Sequence, residues 1–234
     1  MDDFTLALKT AVGLVLGLDR DLLEIVALSL RISLSAVLLA TLAAVPFGAT
    51  VALLRFPGRP LVIVALNAAM GLPPVIVGLV VYLLLSRAGP LGEAGLLFTP
   101  AAMIIAQTIL VFPIIAALAR QTVSDLHEEY DEQLRSLGSN AWQSILTLVV
   151  DGRLRLMTGI LAGFGRAIAE VGAVLIVGGN ILHSTRTMTT AIVLETSKGN
   201  LALALALGLI LITVAAAVNA TALALGEVAH RHHG

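Results

Sequence analysis

Two ionisable residues, Arg166 and Glu170, stand inside the otherwise apolar stretch from Leu156 to Leu182. Four residues apart, they share one face of a helix, where opposite charges pair. A charge in such surroundings handles an ion or proton, or it pairs and orients its helix; pairing is the favoured reading here. Arg31 is a third such charge, placed to extend its guanidinium to the nearer interface or, failing that, to attract an anion. Four uncharged polar residues, Asn67, Gln107, Thr108 and Asn180, also lie in apolar runs. Each could line a route for a solute, although a hydrogen bond between helices accounts for any one of them more simply.

Other chemistries have no residues to support them. The chain contains no cysteine, so thiol nucleophiles, disulfides and thiolate metal sites are ruled out. No Gly-x-x-x-x-Gly-Lys-Ser/Thr loop occurs to cradle nucleotide phosphates. Neither His-Glu-x-x-His nor Gly-x-Ser-x-Gly is present, which argues against an intramembrane hydrolase. His230, His232 and His233 cluster near the end of the chain, where a solvated tail is the simpler reading than a metal site. A formal net charge of -1 offers no basic field for nucleic acid.

The elements that hold these residues follow from composition. Of 234 residues 58% are hydrophobic and 12% charged, about half the charged share of an ordinary soluble domain. Runs without Asp, Glu, Lys or Arg extend over Ile32–Leu54, Pro60–Ser86, Ala94–Ala119 and Gly199–Gly226. Each is long enough to cross a hydrocarbon core of about 30 Å as a helix. With the Arg166/Glu170 segment they predict an all-α polytopic membrane protein of five spans. Pro46, Pro113 and the pair Pro73-Pro74 should kink their spans. Gly159 and Gly163, followed by Gly172, Gly178 and Gly179, predict close helix packing.

Residues 1–21 read as an interfacial segment, because the apolar stretch Phe4–Leu18 is short and carries Lys9. The acidic start does not read as a signal peptide, so the first span should direct insertion. Residues 22–228 form the membrane domain and 229–234 a disordered tail. Setting the turn Arg55–Arg59 in the cytoplasm also puts Arg120, Arg135, Arg153, Arg155 and Arg231 there, against Lys9, Arg20, Arg87, Arg186 and Lys198 outside. That slight positive-inside bias predicts an external N-terminus and a cytoplasmic C-terminus.

One polar segment of length, 120–155, joins the third and fourth spans. Ser124 or Asp125 could cap a helix through Leu126, Tyr130, Leu134 and Leu137. Gly138 would end it, and Trp142, Ile145, Leu146 and Val149 would open a second apolar face. The stretch Glu132-Gln133-Leu134-Arg135-Ser136-Leu137-Gly138 resembles the EAA loop of ABC importer permeases, with Glu132 and Gly138 at the loop's spacing. Gln133 and Leu134 replace its two alanines, and Leu148-Val149-Val150-Asp151 replaces its Ile-x-Leu-Pro end.

Further ordered segments, Gly71–Gly92, Leu96–Leu118, Gly165–Ile181 and Met188–Asn200, are similar to the permeases of molybdate, sulfate and tungstate importers, most of all the tungstate type. The resemblance covers the chain from about Leu22 onward. It implies a homodimer in the cell membrane, worked by two ABC ATPase subunits that bind ATP and Mg and fed by an external oxyanion-binding protein. It further implies that the EAA loop is a coupling helix, with Glu132, Leu134, Leu137 and Gly138 docking and Arg135 at the rim. The chain itself would be no enzyme and would carry no cofactor. An ion-coupled carrier is the rival class, but the paired broken-helix repeats common in such carriers are not seen.

Overall fold

The computed structural model describes residues 2–17 and 19–232, with side chains for 5–17 and 19–226. Ten α-helices and one 3-10 turn account for the secondary structure among them: α1 Asp2–Leu16, α2 Arg20–Leu53, α3 Arg59–Met70, α4 Pro74–Leu85, α5 Pro100–Ser136, α6 Ala141–Asp151, α7 Arg153–Ile168, α8 Gly172–Gly178, α9 Met188–Ser197 and α10 Leu201–His232. Helices α2, α5 and α10 are each long and apolar enough to span a membrane unaided. The pairs α3/α4 and α7/α8 bring the total to five if each is one interrupted span. Helix α1, at 15 residues, would reach only about 22 Å. The histidines of the terminal tail, His230, His232 and His233, lie outside the residues with described side chains.

Three expectations need correction. The run Pro60–Ser86 is two helices and not one kinked helix: Gly71, Leu72 and Pro73 lie outside both. Two successive prolines remove two backbone donors, and each disfavours helical geometry in the residue before it. Pro74 instead occupies the first turn of α4, where a missing N–H costs nothing. Pro46 and Pro113, by contrast, sit inside unbroken helices.

The second correction concerns the polar segment. No helix starts at Ser124 or Asp125; α5 runs without interruption from Pro100 to Ser136. The stretch from 114 to 137 contains neither glycine nor proline. Val123, Leu126 and Leu134 extend the buried stripe of the span at helical spacing. The third correction is that Glu170 lies beyond the end of α7, so its pair with Arg166 bridges a helix break.

The chain divides into two compact units. The first comprises Met1–Ala36, Pro73–Gln107 and Arg166–Ala217. Within it α4 crosses α8 with backbones in direct contact: a Cβ on Gly78 would lie 2.7 Å from Ala173 Cα. Gly178 admits Met103 in the same way, with its Sδ 2.8 Å from where a Cβ would stand. The break at the start of α8 is satisfied from within the unit, as a backbone in lipid requires. Gln107 Nε2 donates to Ala167 O at 2.9 Å, and Thr189 Oγ1 donates to Glu170 O at 2.7 Å. Glu170 Oε1 accepts from Ala173 N at 3.1 Å, closing the first turn of α8.

The second unit comprises Val37–Leu72, Thr108–Gly165 and Val218–Gly234. Gly48 lets α2 close on α5, since a Cβ there would stand 2.4 Å from Ala116 O. Gly159 and Gly163 seat α7 on Leu118, Ile115 and Val111 of α5, which is the expected small-residue packing. Arg59 donates from Nε to Val51 O at 2.8 Å and from Nη2 to Ala52 O at 2.9 Å. Its cation thereby covers carbonyls that the end of α2 leaves open.

Candidate functional site

The end of α5 and the start of α6 form a two-helix elbow whose hydrogen bonds are fully specified. Gly138 adopts φ +69°, the left-handed region that glycine enters without a Cβ clash. Ser139 N donates to Leu134 O and Gly138 N to Arg135 O, each at 3.0 Å. These two bonds are a Schellman motif, which stops a helix by satisfying its last carbonyls. The next residue, Asn140, starts α6. Its side chain accepts from Gln143 N, and the Gln143 side chain accepts from Asn140 N, each at 2.9 Å. That capping box satisfies two of the helix's open donors. Only Ser139 separates the glycine that stops α5 from the Asn140 cap that starts α6, so the elbow has little freedom to flex.

A core cluster anchors it. Leu134, Ile145 and Leu148 pack with Ala49, Ala52, Val123 and Leu126, and Tyr130 and Val149 lie against them. Leu134 therefore acts from inside, holding α5 and α6 together, and does not face outward. Glu132 is exposed, Gly138 forms the turn, and Leu137 stands out at the tip, 82% exposed. Arg135 is exposed and bound to Asp131 by two contacts of 3.0 and 2.9 Å. The second apolar face splits: Ile145 points inward, while Trp142, Leu146 and Val150, at i, i+4 and i+8, form an exposed stripe. Sequence alone puts Trp142, Ile145, Leu146 and Val149 on one apolar face, and only the anchoring partners show which of them are buried.

Two of the three intramembrane charges meet each other. Arg166 and Glu170 form an ion pair, with the Glu170 side chain almost fully buried. Together with the Ala173 N–H, Arg166 supplies the compensation that a buried carboxylate requires. Arg31 is exposed on α2. Gln107 and Asn180 each donate from the amide to a carbonyl, Ala167 O at 2.9 Å and Thr190 O at 3.3 Å. The atoms left over, Gln107 Oε1 and Asn180 Oδ1, are buried and without partners among the described residues. Both are acceptors, so they would repel an oxyanion. Asn67 is exposed on α3, and Thr108 is half-buried on α5.

Sequence reading passed over a polar knot in the first unit. Ser29 Oγ accepts from Met188 N and donates to Ile25 O, each at 2.7 Å. Thr187 and Thr190 form a capping box at the start of α9. At the other end of α9, buried Glu195 accepts from Lys198 Nζ at 2.9 Å and Asn200 Nδ2 at 3.0 Å. The Lys198 bond holds the carboxyl below its ordinary range despite its burial. The run Thr185–Thr190, rich in cap-forming hydroxyls, was the available signal.

No family model matches the chain. Among curated proteins it is 43% identical to the probable anion ABC transporter permease protein of Haloferax volcanii, over 77% of this chain and 80% of that one. It is 38% identical to the tungstate uptake system permease protein TupB of Peptoclostridium acidaminophilum, over 82% of this chain and 84% of that one. The molybdenum transport system permease protein ModB of Escherichia coli K12 matches less closely, at 28% over 75% of this chain and 81% of its own.

Proposed function

As the chain belongs to the ABC transporter permeases of the tungstate, molybdate and sulfate group, a multi-pass family of the inner membrane, we propose that it is the translocating subunit of a tungstate importer. Two copies would enclose the route on a two-fold axis. Each would take its drive from a separate ATPase subunit and its cargo from an external binding protein. The N-terminus is outside and the C-terminus cytoplasmic in this reading, which puts the elbow on the side where ATP is.

The observation that carries the proposal is the elbow. A helix that continues a span for more than a turn past the apolar run, stops in a Schellman motif and restarts in a capping box is a stiff lever. A lever is what coupling needs, because a flexible loop would absorb the displacement that nucleotide-driven closure delivers. Glu132, Leu137 and Gly138 form its docking tip, Arg135 the rim, and Leu134 the brace beneath. The helix-in-groove mode of recognition fits an exposed leucine on such a tip.

Transport itself asks little of this chain's side chains. Gln107 and Asn180 present acceptors and tie carbonyls, so they shape the walls and do not grip the anion. A permease fed by a binding protein is served by weak sites, because a tight one would slow release.

Tungstate is preferred over molybdate and sulfate because the relative named for tungstate is the closer one. The test is reconstitution of the chain with its ATPase in proteoliposomes and measurement of ATP hydrolysis on adding binding protein loaded with each anion. The proposal expects the largest stimulation with tungstate. Equal stimulation by tungstate, molybdate and sulfate removes the tungstate assignment, and ATP-independent uptake driven by an ion gradient removes the importer reading.

A further inference from the structure

An open groove in the second unit lies between α2 and the α6/α7 junction. Its walls are Leu42, Val45, Pro46, Leu156, Met157 and Ile160, and Arg153 stands at its border. Leu42, Val45 and Pro46 belong to the first apolar run, and Met157 and Ile160 lie one to two turns into α7, past its charged start. The groove thus opens at hydrocarbon depth, with a cation at its polar edge.

We propose that this groove holds an anionic phospholipid, with its phosphate on Arg153 and one acyl chain along Leu42, Met157 and Ile160. Three observations argue for a lipid. The Arg153 guanidinium is exposed and has neither a hydrogen bond nor an ion pair among the described residues. The residues that line the groove beside it, Val149, Leu156, Met157 and Ile160, carry no charge, so a phosphate there meets a cation and no competing carboxylate.

The second observation is the lining: apart from Thr41 and Arg153, every residue of the groove wall is apolar, which suits an acyl chain. Third, exposed Val150 stands three residues before Arg153, so apolar surface adjoins the cation. An arginine at the end of an apolar face reaches the headgroup level by extending its side chain. A second copy of this chain fits the groove less well. An isologous contact would take the unpaired cation out of water on both subunits.

The experiment uses the permease purified with its ATPase in nanodiscs of phosphatidylcholine and phosphatidylglycerol, with retained lipid counted by native mass spectrometry after transfer to detergent. The intact protein should retain phosphatidylglycerol preferentially, and R153Q should reduce that preference about fivefold, the worth of one cation at an anionic surface. R155Q should leave it unchanged. Equal retention in R153Q and the parent overturns the proposal. Because the chain has no cysteine, Leu42→Cys gives an independent reading. A lipid-filled groove leaves the thiol monomeric under oxidant, whereas a disulfide-linked dimer shows that a second copy fills the groove.

Discussion

Replacing Gly138 by alanine tests the elbow at its least forgiving point. A Cβ there meets nothing within 4 Å, so crowding contributes nothing and the cost is conformational. Gly138 sits at φ +69°, where an L-residue with a Cβ is less stable by about 1–2 kcal/mol. At 1.36 kcal/mol per tenfold, the elbow geometry loses roughly 5- to 30-fold in population. That loss is small against the about 5–15 kcal/mol that holds a folded domain, so Gly138→Ala should fold and insert normally. Uptake coupled to ATP hydrolysis should fall, measured as anion transported per ATP in proteoliposomes. Gly138→Asn is the control, because asparagine tolerates the left-handed region while adding more bulk than alanine. The reasoning expects asparagine to recover most of the coupling. If alanine and asparagine lower it equally, size and not backbone geometry matters, and the lever argument fails.

Gly78→Ala drives a methyl group to within 2.7 Å of Ala173 Cα and should cost about 1–3 kcal/mol, read as a lower melting temperature in detergent. Gly165→Ala, where nothing lies within 4 Å, should be neutral or slightly stabilising. Glu170→Gln keeps the acceptor for Ala173 N and loses only the charge facing Arg166, so it should be milder than Glu170→Ala in the same melt; the reverse order would deny the capping role. Glu195 has a folded pKa below its ordinary 4.5, so its stabilisation is present above that value and is lost as pH falls through the lowered one. The melting-temperature gap between parent and Glu195→Gln should therefore be widest near neutrality and close in acid, and a gap that widens in acid contradicts the assignment.

The spans were legible because hydropathy is a sum over some twenty residues, and single exceptions do not disturb it. Glycine spacing at 159 and 163 announced close packing for the same reason: it states what can approach, whatever approaches. The helix ends were harder. Ser124 and Asp125 are good caps, yet a cap acts only where a helix would otherwise end, and the buried stripe through Val123 and Leu126 kept α5 going. The resemblance to the EAA loop makes Leu134 a docking residue although it replaces one of the loop's alanines, and its helical spacing from Val123 and Leu126 turns it into the core. Glu170 looked like a mid-helix charge until the break before α8 put it at a helix start. Gln107 and Asn180 were visible as polar residues in apolar runs. Which of their atoms would remain unpaired depends on carbonyls 60 and 10 residues away, and no local pattern encodes that.

The most direct test of the elbow as the coupling lever uses the absence of native cysteine. A single Leu137→Cys, 82% exposed in the parent, would carry a short photo-crosslinker in vesicles of known orientation holding the permease and its ATPase. A coupling lever at this tip should crosslink to the ATPase subunit from the cytoplasmic side, with a yield that changes when ATP is bound. Labelling of that cysteine by an impermeant reagent added outside intact cells would contradict it.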